Sequence, residues 1–219
     1  MERNIVFLTA GWRRFIYTLW SPFYNVLAWF FSRPRAESIR RLGLRPGERI
    51  LIVGAGTGLD LDFLPRDLSI TAIDLTPAML ARLKSRADRQ GRKVYAHVMN
   101  AESMTFADGT FDAVILHLIL AIVPDPVACA REAARVLRSG GRAVILDKFL
   151  PDDTPPPLIL RCAAPLASLF GTEITRQLGP ILNGSGLTIV ANDPAALRGL
   201  FRIILVEKGL PGEREQART

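Results

Sequence analysis

Cysteine and histidine are nearly absent. The 219 residues hold Cys129 and Cys162, His97 and His117, too few and too scattered for a structural zinc site or a disulfide framework. Two unpaired thiols suit a reducing compartment. Lysine is scarce as well, 4 of the 28 basic residues, so arginine carries the basic character. Internal repeats and low-complexity blocks are lacking, and an apolar content of 49% excludes intrinsic disorder. No signal-peptide pattern of charged start, apolar run and small-residue cleavage site is present, so the sequence predicts a cytoplasmic protein. The one long uncharged stretch, residues 15–32, reaches only the lower limit of a membrane span. Ser21-Pro22 and Asn25 interrupt it and aromatics crowd it, so it reads as a pair of interfacial or core-packing helices.

What is present is unevenly spread. The net charge is +7, and residues 1–41 contribute +5 of it through seven arginines (3, 13, 14, 33, 35, 40, 41) against Glu2 and Glu37. The same region holds 10 of the 17 aromatic residues, among them Trp12, Trp20, Trp29, Tyr17 and Tyr24. The length fits one domain with an appendage. We divide the chain into an aromatic, basic helical head (1–44), a body (45–208) and a polar tail (209–219). In the head, Trp12, Phe15, Ile16, Leu19 and Trp20 recur at helical spacing with Arg13 and Arg14 opposite. Ser21-Pro22 opens a second helix ended by Pro34, and Ala36–Leu42 forms a short basic helix closed by Gly43.

From Glu48 strands and helices alternate. Strands are expected at Arg49–Val53, Ser69–Ile73 ending at Asp74, Val94–Val98, Phe111–His117 and Arg142–Leu146. Helices are expected from Thr76-Pro77 to about Gln90, from Pro126 to Leu137 with a stop at Gly140-Gly141, over Leu158–Phe170, and near Ile174–Leu182. Leu187–Ala191 and Phe201–Glu207 read as two closing strands, one of them antiparallel. The pattern predicts a Rossmann-like α/β fold, a seven-stranded mostly parallel sheet with helices on both faces and an N-terminal amphipathic extension.

The chemistry centres on Ile50–Gly58, ILIVGAGTG, placed where the first strand gives way to a helix. Glycines there let the backbone pass close to a ligand. The spacing is not that of a dinucleotide fold, since Leu59 stands where Gly or Ala is needed, and no P-loop is present. Asp74 ends the second strand twenty residues after Gly54, where a carboxylate can accept both hydroxyls of a ribose. Loop and acid together favour a nucleoside ligand over a merely capping Asp74.

The segment VMNAESMTFADGTFDAVILHLILAIVPDP, followed by AREAARVLRSGGRAVILDKF, resembles the class I S-adenosylmethionine-dependent methyltransferases across about residues 45–150. The resemblance implies that S-adenosylmethionine is the cofactor and S-adenosylhomocysteine the product. It places Gly54, Ala55, Gly56 and Gly58 at the floor of the cofactor site, Asp74 on the ribose with Leu75 beside it, and Asn100, Ala101 and Glu102 around the adenine. His117 then lines the site after the fourth strand. Two departures stand out: Asn100 replaces a usual Asp, and Ile52 replaces a usual Asp or Glu, with Asp60 as a candidate to compensate. The head, WSPFYNVLAWFFSRPRAESIRRLGLRPGERIL, is similar to that of bacterial phosphatidylethanolamine N-methyltransferases and their ubiquinone/menaquinone C-methyltransferase cousins. By that resemblance Tyr24 closes over the cofactor, whereas Asn25 replaces the partner Asp.

Methyl transfer is an in-line displacement that asks the protein for alignment and a dry site. The candidate catalytic residues are Tyr24 and His117, the latter either a general base for an amine acceptor or a lining residue. The acceptor expected is the phosphatidylethanolamine head group, with a quinone or other hydrophobic acceptor, or a non-catalytic cofactor-binding role, as alternatives. Trp and Phe on one helix face flanked by Arg predict contact with an anionic membrane surface on its inner face; a lid over the cofactor is the competing reading. Nucleic acid is not expected as a partner, because the arginines are interleaved with apolar groups and no N/D-P-P-Y motif follows the fourth strand. No metal is expected.

Overall fold

The structure, a computed structural model, describes residues 30–150 and 176–210. Its seven strands run in the order β3-β2-β1-β4-β5-β7-β6. β1 (Arg49–Val53), β2 (Ser69–Asp74), β3 (Val94–Val98), β4 (Phe111–His117) and β5 (Leu137–Lys148) are mutually parallel. β7 (Phe201–Lys208) is antiparallel to β5 on one side and to the edge strand β6 (Leu187–Ala196) on the other. The described helices are α1 (Ser32–Leu42), α2 (Pro77–Arg89), α3 (Pro126–Val136) and the short α4 (Leu178–Leu182).

Period-two alternation along the strands divides the core into two layers. Ile50 and Ile52 of β1 join Ala113 and Ile115 of β4 beneath α1 and α2, where they meet Ile39, Leu42, Leu80 and Leu83. Leu51, Val53, Val114 and Leu116 face the other way, against Ala130 and Ala133 of α3 and Ile181 of α4. Strand order reverses between β1 and β4, and in open α/β sheets that switch point opens a crevice at the carboxyl ends of the strands. Gly54 leaves β1 there, and His117 leaves β4.

Three elements differ from expectation. Pro34 does not end a helix; it sits in the first turn of α1, where its missing N–H costs nothing. The helix stops as foreseen at Gly43, in the left-handed conformation. Second, α3 ends at Val136, and Leu137–Gly141 belongs to β5. Phe111 pairs with Leu137 and Ala113 with Arg142, so the residues between form a bulge, not a helix stop. Third, β6 continues past Ala191 through Asn192-Asp193-Pro194, a proline that an edge strand tolerates.

Residues 32–44, grouped with the head on sequence, pack on the sheet. Phe31 is buried edge-on to Phe201 of β7, with ring centroids 4.7 Å apart. Arg142 of β5 donates to the carbonyls of Leu42 and Gly43 at 2.6 Å and pairs with Glu48, fixing the carboxyl end of α1. The amphipathic head helices, Tyr24, the helix expected at 158–170, Cys162 and most of the polar tail lie outside the described residues.

Candidate active site

The glycine loop has the backbone its composition foretold. Gly54, Gly56 and Gly58 have φ of 65°, 53° and 78°, a region costly for residues with a Cβ. A Cβ on Gly54 would lie 2.5 Å from Ile119 Cδ1, and one on Gly58 2.9 Å from Leu83 Cγ. Ala55, buried, donates its N–H to Ile73 O and so ties the loop to β2.

Asp74 is half-buried at the end of β2 and organises its surroundings through both oxygens. Oδ2 accepts from Gly56 N at 2.9 Å and Oδ1 from Thr76 N at 2.8 Å, linking the glycine loop to the start of α2. Each carboxylate oxygen has a second lone pair, so the group retains capacity for two hydroxyl donors. Leu75, next in the chain, is 61% exposed, an apolar surface beside that carboxylate. Met99 N donates to Asp74 O at 3.1 Å, which brings the 100–102 turn alongside. There Asn100 Oδ1 accepts from Glu102 N at 3.0 Å, Ala101 is buried, and Glu102 Oε1 accepts from Asp125 N at 2.7 Å. Thus Gly54, Ala55, Gly56, Gly58, Asp74, Leu75, Asn100, Ala101 and Glu102 are brought together at the carboxyl ends of β1, β2 and β3.

The other wall is the loop after β4. Leu118 has φ 57°, unusual for a branched side chain, and its N–H is held by Leu146 O at 2.8 Å. Strained backbone of this kind persists where surroundings over-determine it. They do so here: Asp147 Oδ2 accepts from Ala121 N at 3.0 Å, and Arg176 donates to the carbonyls of Leu120 and Val123. Burial pushes the Asp147 carboxyl above the usual carboxylate range, although Lys148 and Arg176 oppose that shift.

His117 lies at the base of this wall, 4% exposed, in a polar cluster under α1. Its Nδ1 is 2.7 Å from Asp60 Oδ1 and its Nε2 is 2.8 Å from Ser38 Oγ. Arg35 Nη1 donates to the same Asp60 oxygen at 2.5 Å. Ser38 Oγ is also 2.9 Å from Arg35 O, so its single proton serves either that carbonyl or the imidazole. Burial alone would raise the Asp60 carboxyl. The charges of Arg35 and His117 outweigh it and hold the group well below the usual range. Both imidazole nitrogens are engaged, and the contacts of His117 join three elements: α1, the turn after the glycine loop, and the exit of β4.

Asp60 is therefore committed to Arg35 and His117 rather than open to a ligand amine, which corrects its expected role. Ile52, 1% exposed, belongs to the apolar layer under α1. Tyr24 lies outside the described residues. Arg35, Ser38, Leu118 and Arg176 went unrecognised on sequence; the arginines read only as net charge, and no local pattern announces a left-handed leucine.

Residues 51–145 match the methyltransferase domain family, the stretch from β1 to β5 that carries the glycine loop, Asp74 and the β4 exit. They are an S-adenosylmethionine-dependent methyltransferase domain. The chain is 29% identical over 177 residues to a phosphatidylethanolamine N-methyltransferase of Cereibacter sphaeroides, spanning 80% of this chain and 87% of that one. It is 36% identical over 149 residues to a demethylmenaquinone methyltransferase of Beutenbergia cavernae, spanning 67% of this chain and 56% of the relative. The fold is shared with the solved structure of a geranyl diphosphate methyltransferase in complex with S-adenosylmethionine, with a TM-score of 0.68 at 17% identity, covering 81% and 84% of the two chains. The residues present fit that cofactor: a loop of three left-handed glycines, two of them packed too closely on Ile119 and Leu83 to admit a Cβ, a carboxylate with spare acceptor capacity for a ribose, and an exposed apolar residue beside it.

Proposed function

We propose that this methyltransferase moves the methyl group of S-adenosylmethionine to the amine of phosphatidylethanolamine at the inner face of the cytoplasmic membrane. The observation that carries the acceptor is the long match with the Cereibacter enzyme, which takes in 80% of this chain and 87% of that one. The head supports it: ten aromatic residues and seven arginines within residues 1–41 suit a helix lying in an anionic lipid surface. No helix among the described residues is long and apolar enough to cross a membrane.

In this reading Gly54–Gly58 pass under the amino-acid end of the cofactor, Asp74 accepts from its ribose, and Leu75 with the 100–102 turn flanks its adenine. The cofactor supplies an activated sulfonium methyl. The chain supplies alignment and exclusion of water, through a β4 exit fixed by Asp147 and Arg176 and through Tyr24 as a closing residue. A quinone acceptor is the second reading, favoured by the higher identity to the demethylmenaquinone enzyme over a shorter span. Incubating the protein with methyl-labelled cofactor and a total lipid extract, then separating the lipids, tests both. Label in the phosphatidylethanolamine derivatives supports the first reading; label confined to the quinone fraction replaces it with the second.

A further inference from the structure

At the amino ends of β2 and β3, opposite to the end that carries the glycine loop and Asp74, the chain folds around a cavity of about 220 Å³. Arg66, Leu68 and Ile70 line it from the approach to β2 and from β2 itself, and Gly91, Arg92 and Lys93 from the turn before β3. The two arginines cross between these walls. Arg66 reaches over to the carbonyl of Gln90 at 3.3 Å, and Arg92 reaches back to the carbonyls of Pro65, at 2.8 Å, and Leu64. Lys93 Nζ stands 5.0 Å from the ring centroid of Tyr95. Carbonyls and a ring hold these side chains in place without neutralising them, and none of the three makes an ion pair among the described residues. Asp62 acts on Arg92, but its two oxygens are taken by Arg86 Nη1 at 2.9 and 2.7 Å, and Gln90 Nε2 donates to it at 2.6 Å. Burial and the like charge of Arg66 lower the Arg92 guanidinium from its ordinary value, as for a cation short of a counter-ion. The surroundings add to the field, since residues 82–93 hold six basic side chains against Asp88 alone.

We propose that this cavity is a second binding site, for a phosphomonoester or diphosphate group gripped by Arg66, Arg92 and Lys93. Three cations without a counter-charge match the roughly two negative charges of such a group better than the single charge of a carboxylate or phosphodiester. The cavity is smaller than the ~300–1,000 Å³ of sites for drug-sized ligands, so it suits a charged group rather than a whole nucleoside. Ile70 at its floor is buried, and an apolar floor strengthens the attraction between the anion and the cations above it. A Cβ at Gly91 would meet nothing within 4 Å, so the turn leaves room beside the cations. Two sources present this chemistry: a soluble phosphate compound and the phosphomonoester head group of a lipid. The site stands apart from the methyl-transfer residues and does not depend on their acceptor.

Arg66→Glu combined with Lys93→Glu tests this, because both side chains are exposed and lie at the far end of the strands from the glycine loop. Calorimetry on the full chain with inorganic pyrophosphate is expected to show binding that the double variant weakens by about tenfold or more, with S-adenosylhomocysteine affinity unchanged. Cosedimentation separates the sources. A loss on vesicles containing phosphatidic acid, a phosphomonoester, without one on vesicles containing phosphatidylglycerol, a phosphodiester, assigns the site to a lipid head group. Pyrophosphate binding lost with equal cosedimentation on both assigns it to a soluble phosphate compound. Lys93→Ala removes one charge and leaves the arginine bonds intact, so it should weaken the same binding by less and keeps the test valid where the double variant folds poorly. Pyrophosphate bound equally by wild type and the variants, or by neither with equal cosedimentation on both lipids, overturns the site. So does an equal loss on both lipids without pyrophosphate binding, which would make this face a general basic surface.

Discussion

Three carboxylates in this site have three environments, and each does different work. Asp74 is half-buried, bonded to two backbone N–H groups and open to more donors. Asp74→Ala is expected to weaken S-adenosylmethionine binding by about 1–3 kcal/mol, the scale of hydrogen bonds to a charged group, read by calorimetry. Unchanged affinity would take Asp74 out of the site. Asp147 is buried, its carboxyl pushed above the usual range by that burial, and it fastens the loop after β4 through Ala121. Asp60 is buried but stays ionised because Arg35 and His117 face it. Its carboxyl is depressed in the folded state, so its stabilisation is present above the unfolded value of about 4 and is lost as pH falls below that. Asp60→Asn strands the buried Arg35 charge and should cost about 3–5 kcal/mol at neutral pH. Its melting temperature should also fall less steeply than that of wild type between about pH 4 and pH 2. Parallel acid profiles would mean that Asp60 titrates normally in the fold. Cys129, by contrast, has its thiol pushed up to about 12, chiefly by burial, and is expected to resist alkylation in the folded protein. Asp74 was legible because a strand-end acid follows a glycine loop at a known spacing. Arg35 and Ser38 were not, because nothing local in SRPRAES announces a partner 25 or 82 residues away.

Helix α1 shows where sequence reading succeeded and where it stopped. A short basic helix over Ala36–Leu42 and its Gly43 stop were readable, but its start at Ser32 and which body it belongs to were not. That depends on Phe31 meeting Phe201 and on Arg142 reaching the last carbonyls of the helix, contacts across 100 residues or more. Leu42→Ala is therefore expected to cost about 2–5 kcal/mol in urea denaturation, as for a core leucine. A cost near zero would show α1 to be a loose appendage. β1 to β4 were legible because alternating apolar runs between helix caps and glycines fix their ends. The body of β5 was legible as Arg142–Leu146, but its start at Leu137 was not, because Gly140-Gly141 imitates a helix stop, and only pairing with Phe111 reveals a bulge. The glycine loop was legible for the opposite reason, since its residues have no substitute. Gly58→Ala forces a side chain into φ 78° against Leu83, and should cost about 1–3 kcal/mol of stability along with cofactor affinity.

For the whole molecule, a sheet with its crevice at the β1/β4 switch point is joined to a head rich in arginine and aromatic residues. If the head meets an anionic bilayer, binding to vesicles containing anionic lipid should weaken with added salt. Reversing Arg13 and Arg14 to Glu should lower it more than tenfold, at about 1 kcal/mol for each basic residue near such a surface. Cosedimentation with neutral and anionic vesicles measures this, and equal binding to both would leave the head as a lid alone. Methyl transfer to a phospholipid amine is tested most directly with methyl-labelled S-adenosylmethionine and phosphatidylethanolamine vesicles. Label is expected in N-methylated phosphatidylethanolamine, with little from Asp74→Ala protein. Full activity on a soluble or quinone acceptor, with no label in the phospholipid, would contradict it.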